Sequence, residues 1–359
     1  MDEVPDRAVK GRGAISNRSG RFEREARVVI DDGWGSAFDE DAPPLRTTLL
    51  VDKSRSLITY NQSPDIPFDR SINPYKGCEH GCIYCFARPT HAYLGLSPGI
   101  DFETMLFHKP DAPDLLVSEL RARGYAPAPV AIGANTDPYQ PVERELGLTR
   151  RILEVLDGAN HPMALITKSA LVLRDLDIIA RMAARNLAHV AVSITTLDRD
   201  LARRLEPRAA TPARRLDAVR KLSEAGVPVA VLASPMIPAL NDHELDDILA
   251  AARDAGASGA NIILLRLPLE IAGLFEEWLR THVPDRADRV LNLIRQSRGG
   301  KLYNASFGKR MTGDGPYAAM LTARFRRARD RLGLGARWVE LDCSRFTPPQ
   351  APGDQLALF

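Results

Sequence analysis

"MALITKSALVLRDLDIIARMAARNLAHVAVSIT", residues 163–195, reads as a strand, a helix and a second strand in one continuous unit. Its two ends, "MALITKS" (163–169) and "HVAVSIT" (189–195), are short and largely apolar. Between them "LRDLDIIARMAARN" (173–186) spaces its apolar residues as one face of a helix. Strands that are apolar throughout, joined by an amphipathic helix, belong to a parallel sheet covered by helices.

The same unit recurs along the chain. Further strands are expected at "RSIN" (70–73), "PVAIGAN" (129–135), "VPVAVLASPMI" (227–237) and "GANIILLRL" (259–267). The helices expected between them are 114–123, 143–157, 212–226 and 241–256; the last two end in Gly, and Asn241 is placed as an N-cap. Six units about thirty residues apart predict an α/β fold, a partial (β/α)6 TIM-like barrel, with an open doubly wound sheet as the alternative. Either architecture puts functional groups at the carboxyl ends of the strands. Residues 46–270 form this core; 271–345 are expected as a helical, basic addition that includes a short strand "RWVELD", and 346–359 as a Pro/Gly-rich tail. Residues 1–45 are polar, Arg-bearing and without periodicity, which predicts a flexible or disordered extension.

"NPYKGCEHGCIYCFARPTHAY" (73–93) follows the first strand and holds Cys78, Cys82 and Cys85; the fourth cysteine of the chain, Cys343, lies far away. Three bunched cysteines make no disulfide framework and point to a reducing, cytoplasmic setting. Thiolates spaced C-x3-C-x2-C suit a soft metal. A closed zinc site would need His80 as its fourth ligand, which would suit a non-catalytic nucleic-acid-binding adaptor. A [4Fe–4S] cluster on three cysteines would instead leave one iron open to a ligand.

C-x3-C-x2-C with Tyr84 before the last cysteine resembles the signature of the radical SAM superfamily. The resemblance covers about residues 68–270 and implies a [4Fe–4S] cluster whose open iron chelates S-adenosylmethionine (SAM). It further implies reductive cleavage of SAM to a 5′-deoxyadenosyl radical, with a flavodoxin or ferredoxin as electron donor. Where the superfamily commonly carries Gly-Gly-Glu for the SAM amino group, this chain has "GANTDPYQPVE" (133–143), so Asn135, Thr136 and Asp137 become candidate acceptors. Lys168 is the candidate partner of the SAM carboxylate. Ser193, Ser234 and Arg204, with Glu206 and Arg208, are candidates for the rest of the cofactor pocket.

"NPYKGCEHGCIYC", "NTDPYQPVE", "ITKS" and "AGVPVAVLASPMIPALND" together resemble a bacterial branch related to spore photoproduct lyase, which implies a DNA lesion as substrate. An RNA or small-molecule substrate is the alternative. That lyase carries a cysteine hydrogen donor near the end of strand two, and "GANTD" has none. Tyr139 and Cys343 are the substitute candidates.

Net charge is only +2, yet "TARFRRARDRLGLGAR" (322–337) is strongly basic, and Arg324, Arg326 and Arg327 are candidate phosphate contacts. The last residues, "QLALF", resemble the peptide by which bacterial repair proteins dock on the DNA sliding clamp; Gln355, Leu356, Leu358 and Phe359 would be its anchors. No apolar run of membrane-spanning length and no apolar secretory leader appear, so no membrane partner is expected.

Overall fold

The computed structural model describes residues 8–23, 45–335 and 340–350. Ten strands arise in chain order: β1 (Thr48–Val51), β2 (Ile58–Tyr60), β3 (Arg70–Ile72), β4 (Tyr75–Lys76), β5 (Met105–His108), β6 (Val130–Ile132), β7 (Met163–Thr167), β8 (Ala188–Ser193), β9 (Val229–Met236) and β10 (Gly259–Leu264). All six expected strands are present, as β3 and β6 to β10. They stand side by side in the order in which the chain makes them, every neighbouring pair parallel. With no reversal of order there is no switch point, so the doubly wound alternative fails and the partial (β/α)6 barrel stands. β2 adds an antiparallel edge strand next to β3. A small separate sheet, β1–β5–β4, escaped sequence reading because β4 is two residues long.

Helices α1 (Ala112–Leu120), α2 (Leu148–Gly158), α3 (Leu176–Ala183), α4 (Arg199–Leu205), α5 (Pro212–Glu224) and α6 (Leu245–Asp254) connect the strands. α2 shows why: Leu148, Ile152, Leu153 and Leu156 share one helical face and are buried. The main core joins such faces to Ile72, Ile132, Leu165, Val190 and Val231 of the strands. Asp198 caps α4, accepting from the amides of Asp200 and Leu201. Asn241 is no such cap: its side chain accepts from Ile237 N and donates to the carbonyls of Thr195 and Pro235, tying two strand ends together.

Beyond β10 come α7 (Ile271–His282), α8 (Pro284–Gln296) and α9 (Gly315–Arg331). A second core forms where α7 and α8 meet the cysteine loop: Ile83, Tyr84, Leu205, Phe275, Trp278 and Leu291 are all buried in it. Ala14 and Ile15 belong to the same core, which corrects the expectation of a flexible N-terminal extension for residues 8–23. Polar composition concealed the burial, since this segment docks through polar groups: the Gly13 and Ala14 amides on Glu103, and the side chains of Arg12 and Asn17 on Glu103 O and Asp101. The expected strand "RWVELD" lies partly outside the described residues, and 340–342 carry no strand. The QLALF anchors Gln355 to Phe359 lie wholly outside them. Among the described residues no helix is long and apolar enough to cross a membrane.

Candidate active site

The cysteine loop leaves β3 and β4 and crosses the carboxyl ends of the parallel strands. Backbone bonds fasten it on several sides: Cys78 N to Phe102 O (2.9 Å), Ile83 N to Leu205 O (3.1 Å) and Arg208 N to His80 O (3.3 Å). Beneath it Arg88 and Glu103, both fully buried, form an ion pair. Arg88 also donates to the carbonyls of Cys82 (2.9 Å), Gly81 (3.1 Å), Pro98 (3.1 Å) and Gly99 (2.9 Å). Glu103 accepts from Gly13 N (2.9 Å) and Ala14 N (2.8 Å). The N-terminal segment is thus a strap across the loop. Its approach demands glycine, because a Cβ on Gly13 would lie 1.8 Å from the Gly81 carbonyl oxygen.

Cys78 and Cys82 are buried and Cys85 is half-buried. Burial, then Asp137 and the neighbouring thiols, raise the Cys78 pKa well above normal; burial, then Glu206, push Cys82 up to about 12. Thiols held protonated in this way become thiolates when a metal replaces the protons. Among the described residues no three His, Cys, Asp or Glu side chains converge on a single-ion position. A four-iron cluster needs less convergence, since each thiolate takes its own iron. His80, the candidate fourth zinc ligand, places Nδ1 3.3 Å from Asp137 Oδ2, without the alignment of a hydrogen bond.

Beside the loop lies a buried polar network on the ends of β7, β8 and β9. The Tyr84 hydroxyl bonds Glu206 and lies 3.1 Å from Thr195 Oγ1, which donates to Glu206 Oε1 at 2.6 Å. Arg215 pairs with Glu206 and donates to Ser193 O (3.0 Å). Burial opposes ionisation of Glu206, but Arg215 and then Lys168 outweigh it and hold the carboxyl at about 2. Burial likewise works against charge on Lys168, yet Cys82 and Glu206 leave its pKa raised. The Lys168 ammonium lies 5.9 Å from the Tyr84 ring centroid, with no carboxylate in contact among the described residues. Ser234 Oγ is buried there without a hydrogen-bond partner among the described residues, while its carbonyl accepts from Ser193 and lies 3.1 Å from Thr195 Oγ1. A positive charge and an orphaned hydroxyl beside the cysteines fit a ligand that carries a carboxylate.

The other expected residues divide. Asp137 serves as an anchor, accepting from Thr167 Oγ1 (2.7 Å), Lys168 N (2.7 Å) and Tyr139 N (2.9 Å), so its oxygens are committed. Thr136 donates to Tyr75 O, whereas the Asn135 side chain has no partner among the described residues. Arg204 turns outward to the His282 carbonyl (3.0 Å), and Arg215 takes the place expected for it. Helical phase would have revealed this, because Arg215 precedes the buried Ala218, Val219 and Leu222 by three, four and seven positions. Neither candidate hydrogen donor faces the loop. Tyr139 turns into the main core and donates to Asp175 Oδ2 (2.9 Å). Cys343 lies at the amino ends of the strands, opposite the loop: its neighbours Asp342 and Thr347 bond the carbonyls of Asn186 and Ala159, which precede β8 and β7. Of the basic helix α9, Arg324 is tied to Asp246 and to the carbonyls of Asp242 and His243, leaving Arg326 and Arg327 exposed.

The model of the radical SAM superfamily matches residues 72–252. An uncharacterized protein of Mycobacterium tuberculosis is 37% identical over 233 residues, covering 64% of this chain and 68% of its own. One from Methanocaldococcus jannaschii is 30% identical over 173 residues, 48% of this chain and 62% of its own. Among solved structures, spore photoproduct lyase complexed with dinucleoside spore photoproduct aligns over 80% of both chains, with a TM-score of 0.58 at 17% identity. That likeness is one of fold.

Proposed function

The chain belongs to the radical SAM superfamily, and on that premise we propose that it cleaves SAM reductively and acts on a lesion in DNA. The family's [4Fe–4S] cluster takes Cys78, Cys82 and Cys85 as its protein ligands. When bound and reduced by one electron, it supplies the electron that splits the SAM sulfonium into methionine and a 5′-deoxyadenosyl radical. Lys168 would bind the SAM carboxylate, Ser234 would donate to it, and Glu206 would hold Tyr84 and Arg215 in place around it. The α7–α8 core packs behind the loop and limits water there.

The observation that carries this reading is the uncommitted Lys168 ammonium, set among Tyr84, Cys82 and Glu206 at strand ends. For the substrate, support comes from the fold shared with a lyase solved with a dinucleoside photoproduct, and from exposed Arg326 and Arg327 on α9. A flavodoxin or ferredoxin would be the physiological reductant, and the QLALF tail would recruit the sliding clamp.

The test is anaerobic incubation of iron-loaded protein with dithionite and SAM, with 5′-deoxyadenosine measured by mass spectrometry. Product that disappears in Cys82→Ala supports the reading. A fully loaded protein that makes none, with or without damaged DNA, overturns it.

A further inference from the structure

A cluster of cations and rings lies beside the last cysteine of the loop, at the end of β10. Arg266 follows the end of β10, and its guanidinium carbon lies 4.2 Å from the ring centroid of Phe86. Phe86 comes directly after Cys85 and is 41% exposed. Arg266 is half-buried, and no acceptor among the described residues takes a hydrogen bond from it. Its surroundings add to the excess of charge. Arg298, buried, donates only to carbonyls, those of Leu264, Leu265, Lys309 and Arg310. Arg310 lies 4.9 Å from the exposed Phe307 ring and is bound to Asp65 at 2.5 Å. Asp65 is thus bound by Arg310 and lies near Arg266, which also feels Tyr303 and Cys85, while Arg298 has no carboxylate bonded to it among the described residues.

Burial pulls the Arg298 pKa down to about 10, with Arg266 adding to the effect. An arrangement that desolvates cations without neutralising them is offset only when an anion arrives. A guanidinium is shaped to take a phosphate through two parallel bonds. A free phosphate would have no use for the two exposed rings beside it, whereas a base would stack on them.

We propose that Arg266 and Phe86, with the Phe307–Arg310 pair, form a subsite for a nucleotide of a nucleic-acid strand, its phosphate on Arg266 and its base against Phe86. The proposal rests on the reading of a nucleic-acid substrate and states where the strand crosses the mouth of the site. The subsite directly follows the last cysteine, so it holds the strand next to the metal loop.

The experiment is fluorescence anisotropy of a labelled single-stranded 12-mer with iron-loaded protein and no SAM, titrated between about 0.05 and 0.3 M KCl. Removing one phosphate contact from a single strand lowers the slope of log K against log salt by about 0.7, which is the change expected for Arg266→Gln. Arg266→Lys should keep the slope. Phe307→Leu, remote from the cysteines, should weaken binding by about fivefold or more with the slope unchanged. Iron content and circular dichroism confirm that each variant is folded and loaded; should Arg266→Gln fail there, Arg266→Lys and Phe307→Leu decide. Unchanged affinity and slope in folded variants overturn the proposal. It is also overturned if inorganic phosphate binds wild type as tightly as the 12-mer does, which would mark a free-phosphate site. Strand binding without any SAM cleavage would strike the function proposed above and leave this subsite standing.

Discussion

Two buried arginine–carboxylate pairs flank the cysteine loop, and they differ in what is left over. Arg88–Glu103 is closed: five carbonyl or carboxylate partners surround the arginine, two strap amides fill the carboxylate, and neither residue reaches solvent. Arg215–Glu206 is open, because Lys168 shares the carboxylate's field without touching it and Ser234 Oγ has no partner among the described residues. A closed pair spends all its bonds on the protein and can only hold shape. A pair with surplus charge beside it holds shape and also receives a ligand.

The comparison can be broken at its closed side first. Arg88→Met leaves Glu103 buried without compensation, and a loss of about 3–5 kcal/mol is expected in chemical denaturation. The double variant Arg88→Met/Glu103→Leu should recover much of that loss. If it does not, the pair does more than hold shape. Next comes acid. The Glu206 carboxyl titrates at about 2 in the folded protein, below its unfolded value. Its contribution is therefore complete above about pH 4.5 and is lost as pH falls through 2, on the order of 3 kcal/mol in all. Urea denaturation at stepped pH should show that slope in wild type and a flatter one in Glu206→Gln.

Lys168→Met tests the surplus itself. The SAM dissociation constant of iron-loaded protein should rise by about ten- to a hundredfold, as for a lost charged hydrogen bond, while the denaturation midpoint falls only slightly, because Arg215 still holds Glu206 ionised. A large fall in the midpoint with unchanged affinity would place Lys168 on the structural side of the comparison. The smallest effect is expected from Gly13→Ala. The added methyl collides with the Gly81 carbonyl, but a terminal strap can peel away, so about 1 kcal/mol is expected, with faster loss of iron to a chelator.

The open side was more legible in the sequence than the closed one, for a physical reason. Lys168, Ser193 and Ser234 are strand-end residues, and apolar strands announce their own ends. The cysteine loop is contiguous and carries its spacing within eight residues, Cys78 to Cys85. Glu103, by contrast, meets Gly13 and Ala14 across about ninety positions and Arg88 across fifteen, with no periodicity to betray either contact. Arg204 and Arg215 both lie in an arginine-rich run, and composition does not say which one a helix turns inward. Tyr139 is a candidate by its chemistry and its place near the end of strand two, Cys343 by its chemistry alone. The packing of Tyr139 against Asp175, and the place of Cys343 at the amino ends of the strands, depend on tertiary contacts that no local pattern encodes.

The strand order has a consequence for how the chain finds its shape. From β7 onward each strand pairs with the one made just before it, so the sheet can grow outward by short searches, in step with synthesis. The strap behaves in the opposite way: it is made first, yet its docking carboxylate follows about ninety residues later. It is therefore expected to settle late, on a scaffold already standing. Hydrogen exchange during refolding would show the amides of β7 and β8 protected before those of Gly13 and Ala14.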